Sequence, residues 1–99
     1  MAKKLTQYTY LPNKENPNIF TFSEQNIIKF GFCANENLMG NVKLRINGID
    51  IEVNDDGMYE IEAEDSFLDI NSVTVLRTTS NKGTLVEGDN FTIDIIEEV

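Results

Sequence analysis

The segment that decides the fold is VKLRINGIDIEV, residues 42–53. Apolar and polar residues alternate on both sides of an Asn-Gly dipeptide, as they do in strands that bury one face. Asn-Gly is the dipeptide most favoured in a two-residue type I′ turn, so the segment predicts a β-hairpin. Such a turn pairs Ile46 with Ile49 and Leu44 with Ile51, and it places every apolar residue of the segment on one face.

The following run, residues 58–64, also alternates, and Gly57 before it suits the left-handed position of a turn. Pairing this run directly with the second strand of the hairpin would place Glu60 opposite Glu52. Like charges that face each other across a ladder are unfavourable. We therefore expect this strand to cross to a second sheet.

Residues 27–33 read as another strand, in which alternation places Ile28, Phe30 and Phe32 on one face. Residues 65–69 contain the only plausible helical turn. The remaining strands are predicted at residues 5–10, 19–22, 72–78 and 91–96.

Seven or eight short strands with regular turn signals predict an all-β fold, specifically an antiparallel β-sandwich. A chain of 99 residues supports one domain. Within it we expect residues 1–24 to form an extended N-terminal arm with the first strands, interrupted around Pro12 and Pro17. Residues 25–99 would form the sandwich.

The charge of the chain excludes several classes of partner. Eight basic against 17 acidic side chains and no histidine give a formal net charge of −9, and 14 of the acidic residues lie in the second half. Such a chain repels a polyanion, so we expect no nucleic-acid partner. No apolar run is long enough to span a bilayer, so we expect no membrane partner. No secretion signal is recognisable, and we expect synthesis in a cytoplasm.

The residues offer little catalytic chemistry. The absence of histidine removes the commonest general base and metal ligand, and the single Cys33, expected to be buried, cannot form an intrachain disulfide. Paired carboxylates, for instance Glu60 with Glu62 or Asp55 with Asp56, are the remaining candidates for glycosidase machinery. Their positions on the polar face of a strand and in a turn favour a solvated role. We predict no catalytic residue and no cofactor.

Calcium is the one metal that the acidic second half leaves open. Hard cations bind clustered oxygen ligands, but no EF-hand register fits the chain. Asp55, Asp56 and the loop 87–90 could converge at one end of the sandwich. We assign no metal ligand on this basis.

Two long polar loops, residues 34–40 and 79–90, carry isolated apolar residues. Long connections are often functional. These side chains suit either a contact with a partner or second copy, or a cap folded back on the core, and both interpretations stay open. They are Leu38, Met39, Leu85 and Val86.

Tyr8 and Tyr10 complete the set of candidate contact residues. Aromatic residues near a surface suit stacking on a glycan. Alternate aromatic residues in a strand also suit a core, and the chain has no tryptophan, which makes a sugar platform less favoured.

Residues 40–48 (GNVKLRING), 56–61 (DGMYEI) and 71–75 (NSVTV) resemble bacterial and phage immunoglobulin-like domains. The resemblance implies an immunoglobulin-like sandwich and a non-enzymatic structural role. We expect a phage or prophage virion surface accessory protein, of decoration or fibre type, that contacts a capsid or tail protein or forms a homo-oligomer. It would be located in the virion after synthesis in the host cytoplasm, or remain cytoplasmic.

Two alternatives stay open. One is a small carbohydrate- or host-surface-binding adhesion domain that uses its end loops and takes a surface glycan as partner. The other is a calcium-stabilised fragment of an adhesin.

Overall fold

The chain folds into two four-stranded antiparallel sheets that form a β-sandwich, as the all-β prediction requires. The structure is a computed structural model that describes residues 2–10 and 18–99. Its strands are β1 (Lys3–Tyr10), β2 (Ile19–Thr21), β3 (Ile27–Ala34), β4 (Val42–Ile46), β5 (Ile49–Glu52), β6 (Met58–Glu62), β7 (Ser72–Arg77) and β8 (Phe91–Glu98).

The first sheet has the order β1-β8-β3-β6 and the second has the order β2-β7-β4-β5. β1 pairs with β8 along all of its residues, and β2 pairs with β7. The N-terminal segment, residues 1–24, thus supplies one edge strand to each sheet. The predicted interruption at residues 11–17 lies outside the described residues.

The hairpin of β4 and β5 has the predicted register. Ile46 pairs with Ile49 and Leu44 with Ile51, and Asn47 and Gly48 both have positive φ, 50° and 84°, as a type I′ turn requires. The inward position expected for Ile49 is wrong, since its side chain is 67% exposed. Ile49 lies beside the turn on the edge strand β5, which has a neighbouring strand on one side only.

β6 crosses to the first sheet and pairs with β3, as the charge argument predicts. In this position the β6 carboxylates face a cation instead of other carboxylates. Lys29 Nζ lies 3.5 Å from Glu62 and 3.9 Å from Glu60. Gly57 has the expected positive φ of 78°.

The face predicted for β3 is correct at Phe30 and Phe32 and wrong at Ile28. The pairing of β3 with β8 shifts register between Ile27 and Lys29, which is a β-bulge. The extra residue turns Ile27 into the core, with 2% of its surface exposed, and leaves Ile28 half-buried.

Two local predictions fail. Cys33 is exposed, because it alternates with the buried Phe32 and Ala34 and so faces outward. The expected helical turn at residues 65–69 is irregular, and Leu68 instead forms a β-bridge with Ile27. A short 3₁₀ turn lies at Asn81–Gly83.

The core lies between the two sheets and is built from the inward positions of the inner strands β3, β4, β7 and β8, with Leu38 and Ile70 from loops. Within residues 2–10 and 18–99, no helix is long and apolar enough to cross a membrane. The described core side chains with the least exposure are Phe30, Leu38, Leu44, Val73, Val75, Ile93 and Ile95.

Candidate functional site

Three connections of the described residues meet at one end of the sandwich, which we call the loop end: residues 35–41, 54–57 and 84–90. Backbone hydrogen bonds join them to one another and to the strands. Ala34 N donates to Gly57 O at 2.8 Å, and Asn35 N donates to Asn90 O at 2.9 Å. The β-strands therefore bring together segments that are more than 50 residues apart.

A buried ion pair fixes the loop end. Asp89 is completely buried, and its Oδ1 accepts hydrogen bonds at 2.7 Å from Arg77 Nη1 and from Asn37 Nδ2. Its Oδ2 accepts a hydrogen bond at 2.9 Å from Val86 N. A buried carboxylate is tolerated only when it is paired and hydrogen-bonded in this way. The network ties β7 to both long loops.

Asn35 supplies a second connection between the same loops. Its Oδ1 accepts hydrogen bonds from Leu38 N and Asn90 N, both at 3.2 Å, and its Nδ2 donates to Gly88 O at 2.8 Å. One side chain thus satisfies three backbone groups that no strand partner reaches. The loop end is held by side chains in place of regular secondary structure.

The structure separates the four predicted loop contacts into two pairs. Leu38 is completely buried in the core and Leu85 packs against it, so both are caps, and the contact role predicted for Leu38 is wrong. Met39 and Val86 keep 40% and 44% of their surface exposed. Since they follow Leu38 and Leu85 directly, each loop buries one apolar residue and presents the next.

Tyr8 and Tyr10 pack against the core and do not form an open platform. The ring of Tyr10 stacks on Phe91 with centroids 5.2 Å apart, and the ring of Tyr8 meets Phe22 edge-on at 5.3 Å. Both tyrosines therefore act mainly in packing β1 against the sandwich.

The Tyr8 hydroxyl donates a hydrogen bond to Glu24 Oε1. Burial, this hydrogen bond and the negative charges of Glu24 and Glu97 raise the pKa of Tyr8 to about 12. Each of these effects favours the neutral phenol over the phenolate. Tyr8 is a hydrogen-bond donor to a carboxylate here and not a nucleophile.

The carboxylates considered for calcium are not gathered for it. Asp89 is committed to Arg77 and Asn37, and Asp56 Oδ1 accepts a hydrogen bond from Met58 N in the turn before β6. No group of three or more potential ligand side chains lies together in the described part of the chain. Asp55 is exposed.

A basic pocket of about 440 Å³ lies on the outer face of the second sheet, beside the loop end. The sequence did not predict this pocket, because its cations come from β4, β7 and the 3₁₀ turn. The order of the strands along the chain does not reveal that β4 pairs with β7. The alternation of Lys43 with Arg45 on one face of β4 was the only available signal. The pocket is lined by Lys43, Arg45, Leu76, Arg77, Thr78, Ser80, Lys82 and Gly83.

Comparison with known proteins identifies no relative. No family model matches the chain, and neither the curated proteins nor the solved structures contain a significant match.

Proposed function

We propose that this chain is a non-enzymatic interaction module, a phage or prophage virion surface accessory protein of decoration or fibre type that acts through protein–protein contacts. The observation that carries the proposal is the construction of the loop end. Met39 and Val86 are exposed there on loops that a buried ion pair and Asn35 hold in place. An apolar contact surface that is already ordered loses little conformational entropy on binding.

The virion assignment rests on the resemblance of residues 40–76 to bacterial and phage immunoglobulin-like domains. A β-sandwich of eight strands is compatible with that resemblance. The non-enzymatic character is supported by the carboxylates, since Glu60 and Glu62 are exposed on the outer face and lie near Lys29.

Binding of a neutral glycan by aromatic stacking has less support. The tyrosines that would provide the platform, Tyr8 and Tyr10, pack against the core. A glycan-binding role would have to use the end loops or the basic pocket.

The first test is the protein composition of purified virus particles. Particles are induced from a strain that carries the gene and from the same strain with the gene deleted, and both are purified by density gradient. We expect mass spectrometry to find the chain in the first particles at a fixed ratio to a capsid or tail protein. Its absence from them would overturn the virion assignment.

Add-back of purified protein tests the loop end. We expect wild-type protein to bind the deleted particles saturably and the Met39→Ser/Val86→Ser variant to bind much more weakly. Ile49→Ser is the matched control, because Ile49 is also exposed but lies beside the hairpin turn at the other end of β4. Equal binding by all three proteins would remove the loop end from the contact.

A further inference from the structure

The basic pocket concentrates positive charge in an otherwise acidic chain. Four of the eight basic residues line it, together with the hydroxyl residues Thr78 and Ser80, while the chain as a whole has a net charge of −9. We propose that this pocket binds a phosphate group, either free phosphate or the monoester of a small molecule. The proposal stands on the pocket alone and does not depend on a virion role.

The local charge balance favours an anion. Asp50 accepts a hydrogen bond from Arg45 Nε at 2.6 Å and lies 3.2 Å from Lys43 Nζ, and Asp89 is paired with Arg77. Lys82 has no acidic partner within residues 2–10 and 18–99. Glu52 lies opposite Lys43 across the β4–β5 ladder, so four cations stand against three carboxylates and one positive charge is left over. This excess favours an anionic ligand such as phosphate.

Arg77 is oriented before any ligand arrives. Its hydrogen bonds to described residues all use Nη1, which donates to Asp89 at 2.7 Å and to Asn37 O at 3.4 Å. A guanidinium has five donors in a fixed plane, so donors on Nε and Nη2 are left for a ligand. With 15% of its side chain exposed, Arg77 forms the inner wall of the pocket.

The 3₁₀ turn places Lys82 and Ser80 at the rim. Gly83 lies so close to β7 that a Cβ built on it would come within 2.5 Å of Leu76 Cδ2. The backbone of the turn therefore sits directly on Leu76, which is itself buried and lines the pocket. Lys82 has a φ of 61°, which a lysine rarely adopts. Such conformations concentrate at functional sites.

The same electrostatics favour a small ligand over a nucleic acid. A long polyanion would experience the repulsion of the acidic surface as well as the pocket. A single phosphate group in the pocket lies close to its cations, and salt screens charges beyond about 8 Å. The volume of about 440 Å³ is in the range of small-molecule sites.

Calorimetric titration at constant ionic strength tests the proposal. The probes are inorganic phosphate, glucose 6-phosphate and glucose, and the proteins are wild type, Lys82→Gln, Lys43→Gln and Lys29→Gln. We expect saturable binding of one phosphate-bearing ligand and none of glucose. Removal of Lys82 or Lys43 should weaken binding about tenfold, the cost of one charge-assisted hydrogen bond.

Lys29→Gln is the matched control, because it removes the same charge from the outer face of the other sheet. An equal loss of affinity in all three variants would show a general charge effect and overturn the site. The absence of saturable binding up to a ligand concentration of about 10 mM would also overturn it. Tighter binding of glucose 6-phosphate than of phosphate would identify a monoester, and equal or weaker binding would identify free phosphate. Amide shifts on titration with phosphate should map to residues 76–83, and shifts confined to other residues would place the ligand elsewhere.

Discussion

Arg77 and Asp89 form a 2.7 Å ion pair in which the carboxylate is completely buried and only 15% of the arginine side chain is exposed. The pair joins the end of β7 to the loop before β8. It is the only ion pair among the described residues whose carboxylate is buried. Exposed pairs contribute little to stability, so this one is the electrostatic contact on which the loop end depends.

Asp89→Ala should lower the free energy of unfolding by about 3 kcal/mol, since it leaves Arg77 without an acidic partner and removes the acceptor of Val86 N. Urea unfolding measures the change. The double variant Arg77→Met/Asp89→Leu should lose less than Asp89→Ala, because no uncompensated charge stays buried. Asp55→Ala, at an exposed position, is the control and should change stability little. A loss equal to that of the control would contradict the role of the pair.

Gly83→Ala should destabilise the protein by about 2 kcal/mol, because the new Cβ would overlap Leu76. Gly40→Ala separates this overlap from the cost of positive φ. Gly40 has a φ of 78°, close to the 73° of Gly83, and nothing lies within 4 Å of its added Cβ. Its substitution should cost only about 1 kcal/mol in the same thermal or urea unfolding experiment. Equal losses would show that the contact with Leu76 relaxes freely.

Asn47 serves both the hairpin turn and a tertiary contact. Its Oδ1 accepts hydrogen bonds from Asn71 N and Ser72 N, and its Nδ2 donates to Asp69 O at 2.7 Å. Asn47→Gly keeps the positive φ and loses these bonds, so it should cost about 1 kcal/mol. Asn47→Ala loses these hydrogen bonds and also places an alanine at a positive φ, so it should cost about 2 kcal/mol. Urea unfolding that ranks the two variants in the opposite order would contradict this division.

The raised pKa of Tyr8 predicts a loss of stability at high pH. The phenolic pKa of Tyr8 is about 12 in the folded protein, whereas it is 10.0 in the unfolded chain. Between these values the folded state binds more protons, so the free energy of unfolding falls as pH rises. Below pH 10.0 the contribution of the group is fully present.

Tyr8→Phe should remove this part of the pH dependence, measured by urea unfolding at several pH values across the window. The absorbance difference between wild type and variant should show one phenolate forming with a midpoint of about 12. A midpoint near 10.0 would contradict the burial and the hydrogen bond to Glu24.

Cys33 should react with Ellman's reagent in the folded protein. Its side chain faces outward from β3, and its thiol donates a weak hydrogen bond at 3.8 Å to Ala34 O. We expect one thiol per chain to be modified without denaturant, at a rate close to that in urea. Protection in the native state would mean that another molecule or copy covers this face. A Cys33→Ser variant checks that the signal comes from this residue.

Local pattern was sufficient for much of the fold. The alternation around Asn47 and Gly48 determined the hairpin and its register, because a slip of one residue would invert every side chain. The charges of Glu52 and Glu60 predicted the crossing of β6, because direct pairing of β5 with β6 would place these two carboxylates opposite each other. The absence of histidine and the net charge of −9 constrained the chemistry without any structure.

Pairing between distant segments decided the rest. The β-bulge that exchanges Ile27 for Ile28 depends on how β3 meets β8. Leu38 is buried and Met39 is exposed because of how their loop packs on the rest of the chain. The alternation of apolar and polar residues does not predict this difference. The basic pocket exists because β4 lies beside β7, so that cations far apart in sequence line one pocket. Side-chain periodicity is a property of one segment, whereas burial and local charge are sums over neighbours that only the tertiary structure brings together.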